Sequence, residues 1–163
     1  MGSVWGISGQ YTVRNCLISN AQVTTSYGLN FYNNTLVASG FGGSPFYFQF
    51  SPEHGSEYVI RNNLVYGYKG PMYQVQNGAG YAPGPSPKIS HNQTDMANAP
   101  DGFTTISTAA SQFVDPSKDF RLKAGALARG AAVADVANGA KDVSGLARPQ
   151  GGKWDVGCWQ SSG

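Results

Sequence analysis

Four basic side chains fall in the first two thirds of the chain: Arg14, Arg61, Lys69 and Lys88. A positioned base can take a proton from the carbon next to a carboxylate, and a cation can neutralise that carboxylate meanwhile. Eliminative chemistry on an acidic sugar is one reading of these residues. Binding the sugar carboxylate, without reaction, is a second. A third is that they are solvated residues beside a turn. Hydrolysis by paired carboxylates has less to work with. Between residues 11 and 95 the acids are Glu53, Glu57 and Asp95, and they do not recur at equivalent places. Glu53, His54 and Glu57 share one polar loop, but three such residues in a short loop are common by chance, and no metal is expected there. No nucleophile triad, phosphate loop or metal signature is present.

Tyrosine offers a different chemistry. Tyr47, Tyr66, Tyr68, Tyr73 and Tyr81 lie on or near two long excursions, 38–57 and 67–87. A tyrosine ring can stack on sugar C–H groups while its hydroxyl bonds outward. The competing reading is that long loops pack their aromatics on their own core. Pro45-Phe46-Tyr47-Phe48-Gln49-Phe50 alternates like a strand, with the three Phe on one face. Pro71-Met72-Tyr73-Gln74-Val75-Gln76 reads the same way, which aligns Pro45 with Pro71 and Tyr47 with Tyr73.

What must position these residues is a repeated line. It reads Val13-Arg14-Asn15-Cys16-Leu17-Ile18, Phe31-Tyr32-Asn33-Asn34-Thr35-Leu36, Ile60-Arg61-Asn62-Asn63-Leu64-Val65 and, faded, Ile89-Ser90-His91-Asn92-Gln93-Thr94. The copies start 18, 29 and 29 residues apart. A period in this range signals stacked repeats, and β-branched and aromatic residues bounded by Gly, Pro, Ser and Asn signal strands. Stacked strands predict a parallel β-helix with one coil per repeat. Asn34, Asn63 and Asn92 fall at one place in successive coils. They are expected to stack inward as a ladder, bonding backbone and neighbouring amide about 4.8 Å away. Asn also tolerates the left-handed backbone of a tight turn. Cys16 occupies that place in the first coil, so the ladder ends there. Arg14 and Arg61 share a second repeat position with Tyr32 and Ser90, which predicts a basic pair on one face.

The repeated N-N-x-[LV] line resembles right-handed parallel β-helix proteins of the pectate-lyase-like superfamily. The C-terminal third is similar to the closing segment of many bacterial secreted and surface members: Phe120-Arg121-Leu122, Ala128-Arg129-Gly130, Asp142-Val143-Ser144-Gly145, Arg148-Pro149 and Trp154-Asp155-Val156-Gly157. Ala126-Leu127-Ala128 stands where Ser-Pro-Ala is usual. The resemblance implies an all-β chain, a short right-handed parallel β-helix of about four coils (11–112) with an extended C-terminal closing segment (113–163), as one domain. It implies structural roles for Asp142, Arg148 and Asp155, as turn bonds and an ion pair. For function it is broad, because the superfamily holds lyases, hydrolases, tailspikes and adhesins. The expectation is a non-catalytic structural or carbohydrate-contacting module of a cell-surface or virion assembly. Arg14, Arg61 and the five tyrosines are its candidate glycan contacts. The alternative is a polysaccharide lyase, or its C-terminal portion, with Arg61 and Lys88 as candidate catalytic residues. No cofactor is expected, Ca²⁺ entering only under the lyase alternative.

Composition agrees with a turn-rich β protein. Only 12% of the 163 residues are charged, and there are 22 glycines. A net charge of +2 gives no argument for nucleic acid. No run of about 20 apolar residues suggests a membrane span. Met1-Gly2-Ser3-Val4-Trp5 lacks the basic and apolar regions of a signal peptide. An extracellular, surface or virion location then requires that a signal was removed, that export uses another route, or that the protein is part of a virion. No capping helix is visible before the first coil. Its strand edges are therefore expected to meet a second copy or a missing N-terminal portion. Cys16 and Cys158 read as two buried thiols, or as a disulfide if the C-terminal segment runs back along the stack.

Overall fold

The computed structural model describes residues 2–6, 11–25, 28–48, 58–75, 88–106, 108–135, 140–150 and 152–161. Tyr81, Glu53, His54, Glu57, Gln49, Phe50 and Gln76 lie outside the described residues. The chain is all-β, and its three large sheets are parallel. The first sheet orders β1 (Gly2–Gly6), β4 (Ala21–Thr25), β7 (Phe46–Phe48) and β10 (Tyr73–Val75). The second contains β2 (Tyr11–Arg14), β5 (Leu29–Tyr32), β8 (Tyr58–Arg61) and β11 (Lys88–Ser90). The third contains β3 (Leu17–Ser19), β6 (Thr35–Val37), β9 (Leu64–Tyr66), β12 (Asn92–Thr94) and β13 (Phe103–Thr105). Each of four successive passes of the chain therefore gives one strand to each sheet, and β13 extends the third.

The register follows the sequence repeat. Val13 pairs with Phe31, Phe31 with Ile60 and Ile60 with Ile89. These residues point toward one core that also takes Val23, Phe46 and Phe48 from the first sheet and Ile18, Leu36 and Val65 from the third. In the first sheet the expected alignment is wrong by one residue. Tyr73 pairs with Phe46, and Tyr47 with Gln74. A one-residue slip turns every side chain to the opposite face. Tyr73 thus joins Phe46 and Phe48 inside, with ring centroids 5.9 and 5.4 Å away, instead of standing outside with Tyr47.

Asn34, Asn63 and Asn92 are fully buried and linked. The Asn34 N–H donates to Asn63 Oδ1 (2.9 Å), and the Asn63 N–H to Asn92 Oδ1 (2.8 Å). Each Nδ2 donates to a carbonyl of the preceding pass: Asn34 to Val13, Asn63 to Phe31 and Asn92 to Ile60, all at 2.9 Å. One side chain thus serves a donor and an acceptor that the corner would otherwise leave buried and unpaired. Both ends of the ladder are closed. Asn34 Oδ1 accepts the Cys16 N–H, and the Cys16 thiol donates to Arg14 C=O within its own pass. At the other end Gly102 C=O accepts both the Asn92 N–H and its Nδ2.

The left-handed backbone belongs to a different column. Asn15, Asn33, Asn62 and His91, each one residue before the ladder position, have φ of 53°, 53°, 59° and 55°. The first residue of each pair makes the turn, and the second satisfies the interior. Asn33 and Asn92, which head N-x-T sequons, are both fully buried.

The chain then covers the outer flank of the third sheet. After a four-residue helix, α1 (Ala109–Gln112), the antiparallel hairpin β14 (Phe113–Asp115) and β15 (Asp119–Leu122) brings Phe113 against Tyr66, 5.3 Å between centroids. Val37, Leu64, Tyr66, Ile106, Phe113, Ala128 and Val156 form a second core. Beyond it the chain is mostly irregular and is held by polar bonds. Gly157, at φ 101°, comes so close that an added Cβ would stand 2.6 Å from Thr35 Oγ1. Its N–H donates to Asn62 C=O, and the Cys158 N–H donates to Thr35 Oγ1. Val133 exchanges two bonds with the Asn62 side chain. Cys16 and Cys158 are free thiols, and burial pushes the Cys158 thiol up to about 12.

Asn63→Ala is expected to cost about 1–3 kcal/mol, because it leaves the Asn34 N–H and Phe31 C=O without partners. Cys16→Ala, at the closed end of the ladder, should cost a small fraction of that. Urea unfolding midpoints compare them, and equal losses would contradict the ladder's role.

Candidate functional site

The second sheet turns Leu29, Phe31, Tyr58 and Ile60 to the core, so the alternate residues form its outer face. Register arranges them in two rows. One is Arg14, Tyr32, Arg61 and Ser90; the other is Thr12, Asn30, Val59 and Lys88. Neighbouring strands lie about 4.8 Å apart, so the Arg14 and Arg61 backbones stand about 10 Å apart along the row. Arg14 and Lys88 are exposed, and Tyr32 between the arginines is buried. The Tyr32 hydroxyl donates to Asn30 Oδ1 at 3.1 Å.

Arg61 is anchored by a carboxylate. Its Nη1 lies 3.3 Å from Asp135 Oδ2, with side chains 31% and 17% exposed. The pair ties the end of the 126–135 segment to the second sheet beside the Asn62–Val133 bonds. In this partly solvated setting it is worth about 1 kcal/mol or less. Asp135, far away in sequence, could not be paired with Arg61 from spacing alone. The fourth cation, Lys69, lies on the connection after the third sheet, away from this face.

The tyrosines part company. Tyr66 belongs to the second core and Tyr68 to the first, where its hydroxyl donates to Ala21 C=O at 2.6 Å. Burial raises the pKa of Tyr66, Tyr68 and Tyr73 well above the ordinary tyrosine value. Their ring faces are committed to protein neighbours. Tyr47 is half-exposed, on the outer side of the first sheet beside Gln74.

Three of the acids accept bonds from backbone. Asp95 accepts the Gly67 N–H with both oxygens. Asp142 accepts from the Ser144 N–H and hydroxyl, the Leu146 N–H and the Gln160 N–H. Asp155 accepts from the Gly130 N–H and from the Ser161 N–H and hydroxyl. The expected ion pair at Arg148 takes another form. Its guanidinium is buried and donates to the carbonyls of Asp155 and Gly157, with the cation 5.3 Å from the Trp154 ring centroid. Carbonyls at the turn lie nearer than either carboxylate and satisfy a planar donor fork equally well.

No family model, curated protein or solved structure matches the chain.

The Asp142 electrostatics predict a pH effect. Burial disfavours its charged form, but the donated bonds outweigh this and hold its carboxyl below the usual range. A depressed acid adds stability above its unfolded pKa and loses it as pH falls through the folded value. Wild-type stability should therefore decline below about pH 4. Asp142→Asn should be less stable at neutral pH and show a shallower decline, by up to one proton. Denaturation midpoints across pH measure both. An unchanged slope would count against this role.

Proposed function

We propose that the chain is a short right-handed parallel β-helix of the pectate-lyase-like kind, and that it works as a non-catalytic structural module. Its outer second sheet would contact an acidic glycan in a cell-surface or virion assembly. The observation that carries the reading is the register placing Arg14 and Arg61 in one row and Lys88 in the next, on the face away from the core. Repeating carboxylates on a polysaccharide could meet cations set at strand spacing, with little reorganisation of a rigid sheet. Right-handedness is supported by the strong preference of parallel crossover connections for that hand. The ladder, fully bonded inside the core, supports a scaffold role, since it fixes the register of this face.

A second reading, a polysaccharide lyase, draws on the adjoining strand positions of Arg61 and Lys88. Arg61 weighs against it as the base, because a guanidinium has only donors and no site to accept a proton. Affinity electrophoresis of the whole chain through gels containing polygalacturonate or alginate tests the main reading. Retardation that salt weakens, and that Arg14→Ala with Lys88→Ala abolishes, is expected, with no unsaturated product by ultraviolet absorbance. Unretarded migration would reject glycan contact. Product formation lost in Arg61→Ala or Lys88→Ala would establish the lyase instead.

A further inference from the structure

A groove of about 500 Å³ lies between the β14–β15 hairpin and the closing segment, away from the face considered above. Its walls carry Val114 and Leu146, which are 55% and 43% exposed, and the half-buried Trp159. Arg121 and Arg129 border the same space. Apolar side chains left this open beside tryptophan and arginine match the composition of interface centres.

The polar groups around the groove narrow the occupant. Asp142 is occupied by its four donors, and Asp119 is held by the Arg121 Nε and Nη2 fork. Asp142, the carboxylate in the groove wall, is thus engaged by the closing segment's own donors, while arginine supplies donors only. Among the described residues no bond from Arg121 Nη1 is seen. Such a rim suits an acceptor-rich, donor-poor group, above all a carboxylate. The branched aliphatic walls suit a leucine-sized side chain better than a hydroxylated sugar, whose polar groups would lose water without partners.

We propose that this groove is a docking site for a short extended segment of another protein, carrying an apolar side chain flanked by carboxylates. It is independent of the glycan reading, because it uses other residues on another flank. The test follows the Trp159 indole N–H resonance, assigned with Trp159→Phe, while the whole protein is titrated. The probes are a short capped peptide alternating leucine and glutamate, its lysine counterpart, and tetragalacturonate. A saturable shift with the acidic peptide is expected, with binding weakened about tenfold or more in Leu146→Ser or Arg121→Ala. Both substitutions are at exposed side chains, and retained dispersion of the other indole signals checks the fold. No shift with the acidic peptide, or an equal shift with the lysine peptide, would overturn the proposal. So would a response to the saccharide alone, which would make the groove a sugar site.

Discussion

A chain that turns a corner inside its own core must satisfy backbone groups that water cannot reach. At the corner between the second and third sheets, the interior N–H of one pass and a carbonyl three residues earlier both need partners. Asparagine meets both with one side chain, because its oxygen accepts while its NH₂ donates. Repeating it makes each amide a spacer between adjacent passes. That spacing sets the register of Phe31 on Ile60 and of Leu36 on Val65. An unpaired buried amide costs about as much as a sizeable part of a small domain's stability. The hydrophobic core and the corner therefore agree on a single alignment.

The closing segment solves a related problem on the outside. The outer side of the third sheet presents Thr35, Val37, Leu64 and Tyr66, too apolar to leave in water. A chain of little regular structure covers it. The segment compensates by bonding its backbone to two carboxylates and a hydroxyl held in place: Asp142, Asp155 and Thr35. Arg148 is buried within it, and loss of hydration lowers its pKa, with Asp142 and Asp155 opposing that shift. Removing one member would leave the others buried and uncompensated, so the segment is expected to come away as a unit. The outer second sheet is treated differently. Among the described residues Asp135 reaches its Arg61 edge, and Arg14 and Lys88 are exposed, which is why the proposed contact falls there.

Much of this was legible because it repeats. The 29-residue spacing located the second and third sheets, the ladder amides and the shared row of Arg14 and Arg61. The first sheet was misaligned because its strands are separated by excursions of unequal length, so proline spacing misled where side-chain burial decides. Tyr73 is consequently a core residue. The two asparagines of each pair looked interchangeable, since both bond well in turns; backbone angle and hydrogen-bond partners separate Asn62 from Asn63. The Asp135 partner and the groove at Trp159 left no local signal. Both depend on where an irregular segment returns, which no periodicity encodes.

The dependence of the register on the ladder is tested most directly by native-state hydrogen exchange of individual amides. The N–H groups of Asn34 and Asn63 donate to ladder oxygens inside the core, so they should exchange only through global unfolding. Their exchange free energies should equal that of a central strand amide such as Phe31. Exchange of Asn34 and Asn63 as fast as Ser117, whose N–H sits on an exposed turn, would contradict the account.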